Sequence, residues 1–168
     1  MFDKFGEFDS AEELNRSAAG LKAEGDMEGL KALAVENGLD EMDALDYADG
    51  TMPELFSVST AAIGKLVVEQ NAIEAPELIG DWISYIESEV MEDEAFAAAV
   101  RRKGKSLVGC LGQILRYSIE HRYEIDKTIL KASGMGPIKS PSGKTPNEVG
   151  FGAPGMATAK EIIRGYYA

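Results

Sequence analysis

Cysteine, histidine and tryptophan occur once each in the 168 residues, as Cys110, His121 and Trp82. A single cysteine excludes an internal disulfide and a cysteine-rich zinc cage, and a single histidine excludes multi-histidine metal sites. No metal and no cofactor is expected. No run approaches the roughly 20 apolar residues of a membrane span. The start, Met1-Phe2-Asp3-Lys4-Phe5-Gly6-Glu7, carries no apolar stretch of the kind a signal peptide needs. The expectation is a soluble protein of a reducing cytoplasm with no membrane partner.

Lysine and arginine are scarce too, but only in one part of the chain. Residues 1 to 99 hold 5 bases against 24 acids, a balance of −19, whereas residues 100 to 168 hold 12 bases against 5 acids, a balance of +7; together they make the net charge of −12. Solubility needs no such division. Either the two parts face each other, or each presents its own field to a partner.

The alternation of apolar and polar residues that marks a strand is also missing, and helical spacing runs almost throughout. Ser10 with Glu13 forms a capping-box pattern ahead of Leu14, Ala18 and Leu21, and Gly25 ends that helix. Asp26 caps a second helix with Leu30, Leu33 and Ala34, stopped at Asn37-Gly38, and a third runs from about Asp40 to Tyr47. Thr51 with Pro53 in the first turn predicts a fourth through Leu55, Val58, Ala62 and Leu66. A fifth, from near Pro76, carries Trp82, Ile83, Ile86 and Val90; a sixth carries Phe96, Ala97 and Val100. Ser106 then leads a seventh with Leu107, Cys110, Leu111, Ile114, Leu115 and Ile119. Asp126 caps a short helix to Ser133, and a last helix carries Ile162, Ile163, Tyr166 and Tyr167. Residues 134 to 155 hold six Gly and four of the six Pro, too many for regular structure. The fold class is all-α: a compact bundle of eight or nine helices with one long Gly/Pro-rich loop before the last. Its organisation is read as an acidic helical region, 1–75, followed by a second helical region, 76–168, with a junction near Gly50 or Ala75.

Few residues point to chemistry. Ser142-Gly143-Lys144-Thr145 looks like the end of a phosphate-binding loop, but Ile138 stands where the earlier Gly belongs, Pro146 follows at once, and no strand precedes. Cys110 shares a helix face with Leu107, Leu111 and Ile114, where desolvation keeps a thiol inert. His121 sits where it meets the negative end of a helix dipole. The acids Asp40, Glu41, Asp43, Asp46 and Asp49 lack the alternating ligands, central Gly and terminal Glu of a calcium loop and read as a solvated face. Glu92-Asp93-Glu94 opens the sixth helix and Arg101-Arg102-Lys103 closes it, the order the macrodipole favours. With Lys105, that basic cluster is the place where DNA phosphates would be met, against the repulsion of the acidic part. No convergent nucleophile and base is visible, so no enzyme activity is expected.

The segment Asp93-Glu94-Ala95-Phe96-Ala97, followed by Lys105-Ser106-Leu107-Val108-Gly109-Cys110 and Ile114, resembles the PcfK-like proteins of conjugative elements, a family that includes anti-CRISPR inhibitors of the type II Cas nuclease. The likeness spans roughly Ile79 to Leu115. The family's His-Tyr-Tyr-Asp stretch is absent, since His121 is followed by Arg122-Tyr123. The resemblance implies a mobile-element protein that acts by binding. Combined with the charge division, it gives two expectations. The first is an inhibitor whose carboxylates at Asp40, Glu41, Asp43, Asp46, Asp49, Glu92 and Glu94 engage the positive nucleic-acid channel of a Cas effector nuclease. The second is a DNA-transfer accessory protein that contacts DNA or a relaxase complex through Arg101, Arg102, Lys103 and Lys105. A protein partner is expected ahead of direct nucleic-acid binding.

Overall fold

Most helix starts are fixed by a side chain that takes up an amide the first turn leaves unpaired. In the computed structural model, which describes residues 2–134 and 150–168, Ser10 caps α1 (Ala11–Glu24) and Asp26 caps α2 (Met27–Glu36). Asp40 closes a reciprocal capping box with Asp43 at α3 (Glu41–Asp49), and Ser57 does so with Thr60 at α4 (Val58–Gln70). Helix α5 (Leu78–Glu92) follows. Asp93 caps α6 (Glu94–Arg101), Ser106 caps α7 (Leu107–Glu120), and Asp126 caps the short α8 (Lys127–Ala132); α9 (Met156–Tyr167) closes the chain. Among the described residues the fold is an all-α bundle of nine helices, as expected.

Three local features differ from the sequence expectation. Helix α4 starts at Val58 and not in the Thr51-Pro53 turn, because Asn15 of α1 takes up both backbone groups of Phe56. Its Nδ2 donates to the Phe56 carbonyl (2.7 Å) and its Oδ1 accepts the Phe56 amide (2.9 Å), as a neighbouring strand would. Glu13 reaches past the capping residue and accepts the amide of Asp9 at 2.8 Å. Tyr123–Glu124 (β1) and Gly150–Phe151 (β2) pair antiparallel, Tyr123 opposite Phe151. A two-residue pair has no period for a sequence pattern to reveal. It also places the end of the expected 134–155 loop in a ladder; residues 135–149, including Ser142-Gly143-Lys144-Thr145 and Ile138, lie outside the described residues.

Two cores meet at α4. One gathers Leu14, Leu30, Leu33, Tyr47, Phe56 and Ala61; the other gathers Leu66, Trp82, Ile86, Phe96, Cys110 and Tyr167 together with Ala62. The boundary expected at residue 75 therefore falls just after a helix that both cores share. Along α7, Leu107, Cys110 and Ile114 are buried, but Leu115 and Ile119, which the periodicity assigned to the same apolar face, are 62% and 58% exposed.

Helix α4 lies against the end of α2 at a pair of glycines. Gly38 follows α2 with φ +80°, a conformation that favours glycine; a Cβ on Gly38 would run into the Gly64 backbone, and a Cβ on Gly64 into the Asn37 carbonyl. Gly64→Ala tests this closeness. Helix propensity alone predicts a gain of about 1 kcal/mol, whereas the collision with the Asn37 carbonyl predicts a net loss of about 1–3 kcal/mol. A lower denaturant midpoint is the expected result, while Gly112→Ala, where a Cβ meets nothing, should hold or raise it.

Candidate functional site

The expected acidic residues divide into two groups on different cores. Helix α3 packs on the first core through Ala44 and Tyr47, and the α5–α6 corner packs on the second through Val90, Phe96 and Ala97. Asp40 and Asp43 are committed to the capping box, with Asp40 Oδ1 accepting the amides of Met42 (2.7 Å) and Asp43 (3.0 Å) and Asp43 Oδ2 accepting that of Asp40 (3.0 Å). Glu41 is exposed and pairs with Lys31 at 3.3 Å. Asp46 is half-buried. Asp49 is exposed, and the Thr51 hydroxyl and amide hold its carboxyl below the usual carboxylate range. Glu92 and Glu94 are both exposed. Among the described residues, no three Asp, Glu, His or Cys side chains gather as a metal ion would require.

The basic cluster is dispersed by the fold. Arg101 is 1% exposed, which removes it from any surface that DNA could touch. Its Nη2 donates to Asn37 Oδ1 (2.9 Å) and its Nη1 to the Ala61 carbonyl (3.4 Å), while its Nε finds no hydrogen-bond partner among the described residues. Desolvation pushes its pKa down to about 10 in spite of the nearby Glu7, Glu69 and Glu13 carboxylates. The apolar positions around it on α6 are Ala97 and Val100, so its inward direction is the same as theirs. Lys105 is half-buried and engaged: its Nζ donates to the carbonyls of Tyr166 (2.6 Å) and Ala168 (3.3 Å), the C-terminal end of α9. Arg102 and Lys103 alone of the four are exposed.

The residues that organise this region were not singled out by sequence reasoning. Lys65 and Glu69 stand one turn apart on α4, both buried. Lys65 Nζ donates to the carbonyls of Arg101 (3.4 Å) and Arg102 (2.8 Å) at the end of α6, and to Glu7 Oε1 (2.7 Å). Glu69 Oε2 accepts the Leu107 amide at the start of α7 (2.6 Å). A cation thus meets a helix C-terminus and an anion the following N-terminus, the sense in which both dipoles are stabilised. Burial raises the Glu69 carboxyl above its ordinary value, with the Leu107 amide and Lys65 opposing. A raised carboxyl contributes stability below its unfolded value and loses it as pH climbs through the folded one, so ionised Glu69 is a cost that its hydrogen bond offsets. The available signal was a lone Lys and Glu at i, i+4 inside Ala61-Ala62-Ile63-Gly64-Lys65-Leu66-Val67-Val68-Glu69, a stretch of helix otherwise without a polar side chain.

Cys110 and His121 have the roles read from their settings. Cys110 is fully buried and desolvation pushes its thiol up to about 12. His121 ends α7, with Nδ1 3.2 Å from the Tyr117 carbonyl and its ring stacked on that of Tyr117 at 4.1 Å. Eleven residues of helix, about 16 Å, separate the two.

These positions give the four bases unequal weights. Lys65→Met should cost about 3 kcal/mol, because it strands Glu7 and the α6 carbonyls, and Arg101→Gln should be comparably harmful. Arg102→Gln and Lys103→Gln should each stay within about 0.5 kcal/mol of the parent. Urea melts of the four single variants separate the two classes. Compared with known proteins, the chain matches no family model, no curated protein and no solved structure.

Proposed function

We propose that the protein is a non-enzymatic binder whose acidic surface engages a basic protein partner, and that the partner is a Cas nuclease whose positive nucleic-acid channel the carboxylates occupy. The observation that carries the reading is the imbalance at the surface. Of the 24 acids in residues 1 to 99, sixteen are exposed, against two of the five bases, Lys4 and Arg16. A field of that sign draws a basic partner and repels nucleic acid. The likeness of the Asp93–Ile114 segment to PcfK-like proteins supplies the class of partner. The binding reading is also favoured over an enzymatic one by an inert thiol at Cys110 and a histidine, His121, engaged with its own helix.

The DNA-transfer reading loses support from the positions of its residues, since Arg101 is buried and Lys105 is tied to α9. No membrane is invoked; among the described residues no helix is long and apolar enough to cross one.

The test is the association rate with a purified Cas nuclease, in low and in moderate salt. Neutralising Glu92 and Glu94 to Gln, or separately Glu41, Asp46 and Asp49 to their amides, should slow association several-fold and flatten its salt dependence, with little change in melting temperature. Asp40 and Asp43 are left intact, because removing that cap would itself cost about 0.5–2 kcal/mol. Unchanged association and inhibition by both variants in low salt would eliminate charge mimicry.

A further inference from the structure

The turn between α6 and α7 presents two adjacent backbone donors, and the chain's own N-terminal segment fills them. The Lys103 amide donates to Asp9 Oδ1 at 2.9 Å and the Gly104 amide to Glu7 Oε2 at 3.3 Å, while the other Glu7 oxygen accepts from Lys65 Nζ at 2.7 Å. Lys65 is 1% exposed at the side chain and its Glu7 partner 25%, so among the described residues the lysine's salt-bridge partner is a group that solvent can reach. Arg102 and Lys103 lie exposed on either side of the Lys103 amide's own peptide, and at Gly104, with φ +81°, a Cβ would meet none of the described residues. Successive amides in such a turn, backed by cations, form an anion-binding concavity.

The N-terminal segment is held by more than these contacts. The Lys4 and Phe5 amides donate to the Glu36 carboxylate (2.8 and 3.2 Å), and Phe5 and Phe8 pack against the first core. The segment is therefore anchored independently of the Glu7 and Asp9 carboxylates, by Glu36, by the first core and by the Asp9 amide on Glu13.

We propose that the α6–α7 turn is a phosphate-binding site whose resident ligand is this strap, with Glu7 and Asp9 standing in for the external anion. Together the two carboxylates supply three acceptor oxygens, one each for the Lys103 amide, the Gly104 amide and Lys65. Inorganic phosphate carries at least three such oxygens on one centre, and an internal phosphodiester carries two, enough for the two amides. Strap and phosphate compete for the same donors, so the folded parent holds the site closed. The proposal concerns the basic turn and does not depend on the acidic surface binding a nuclease.

The test uses the full chain with both carboxylates removed, Glu7→Ala with Asp9→Ala, titrated with inorganic phosphate and separately with a short oligothymidylate while the Lys103 and Gly104 amides are followed by NMR. Both amides should shift saturably, with affinity at least about tenfold above the parent's. A response to the oligothymidylate that weakens with salt identifies a polymer phosphate as the ligand; a response to inorganic phosphate alone identifies the free anion. If the double variant does not fold, Asp9→Ala, which removes one exposed bond, should give the same shifts with a smaller gain. Folded variants whose two amides ignore both phosphates overturn the proposal. So does a peptide of residues 2–9 that moves them when phosphate does not, because the turn would then be a carboxylate site.

Discussion

Lys65 and Glu69, buried one turn apart on α4, set the arrangement on which the rest of the molecule depends. Their two charges take hold of the two ends of one tight turn, the closing carbonyls of α6 and the opening amide of α7. Buried charges are costly unless fully paired, and here each finds a backbone group that is itself left unpaired by helix geometry. The turn is thereby fixed against the central helix. Arg101, one residue from the turn, extends the same network to Asn37 at the end of α2, and Glu7 extends it to the N-terminal strap.

This network explains how two apolar cores form one bundle. Helix α4 contributes Ala61 to the first and Ala62 and Leu66 to the second. Gly38 and Gly64 let α2 and α4 approach to backbone contact, and the Arg101 guanidinium spans the same place, from Asn37 to the Ala61 carbonyl. The acidic and basic parts of the chain therefore meet through a few buried pairs, and most of the acidic residues are left to solvent. A surface with unspent charge of one sign is what a binder of basic partners needs.

Local chemistry made much of the fold legible in the sequence. Ser10, Asp26 and Asp126 cap the helices they were read to cap, and Ser106 the helix it leads, because a cap involves only the next three residues; Asp40 and Asp93, read as acidic surface and helix-end charge, prove to be caps as well. The inert setting of Cys110 followed from periodicity in the same way. The start of α4 did not, since both backbone groups of Phe56 are taken up by Asn15, forty-one residues away in sequence. Nor did the fate of Arg101, which composition places in an exposed cluster and the fold places inside; its partners, Asn37 and Ala61, come from other helices. At the candidate site, sequence marked Glu41, Asp49, Glu92 and Glu94, which are exposed, but not the α6–α7 turn or the Glu7 and Asp9 bound to it, because the turn's donors are backbone amides and carry no side-chain signature.

The Leu107 amide tests the central claim most directly. As the first residue of α7 it has no partner within its own helix, so its protection from hydrogen exchange reports the bond to Glu69. In the parent it should exchange as slowly as the core of α7, by global unfolding. In Glu69→Ala it should exchange locally and fast while Ile114, deep in the same helix, keeps the variant's own global rate. Equal relative protection of Leu107 in both proteins would contradict the account, since burial alone would then be holding the turn.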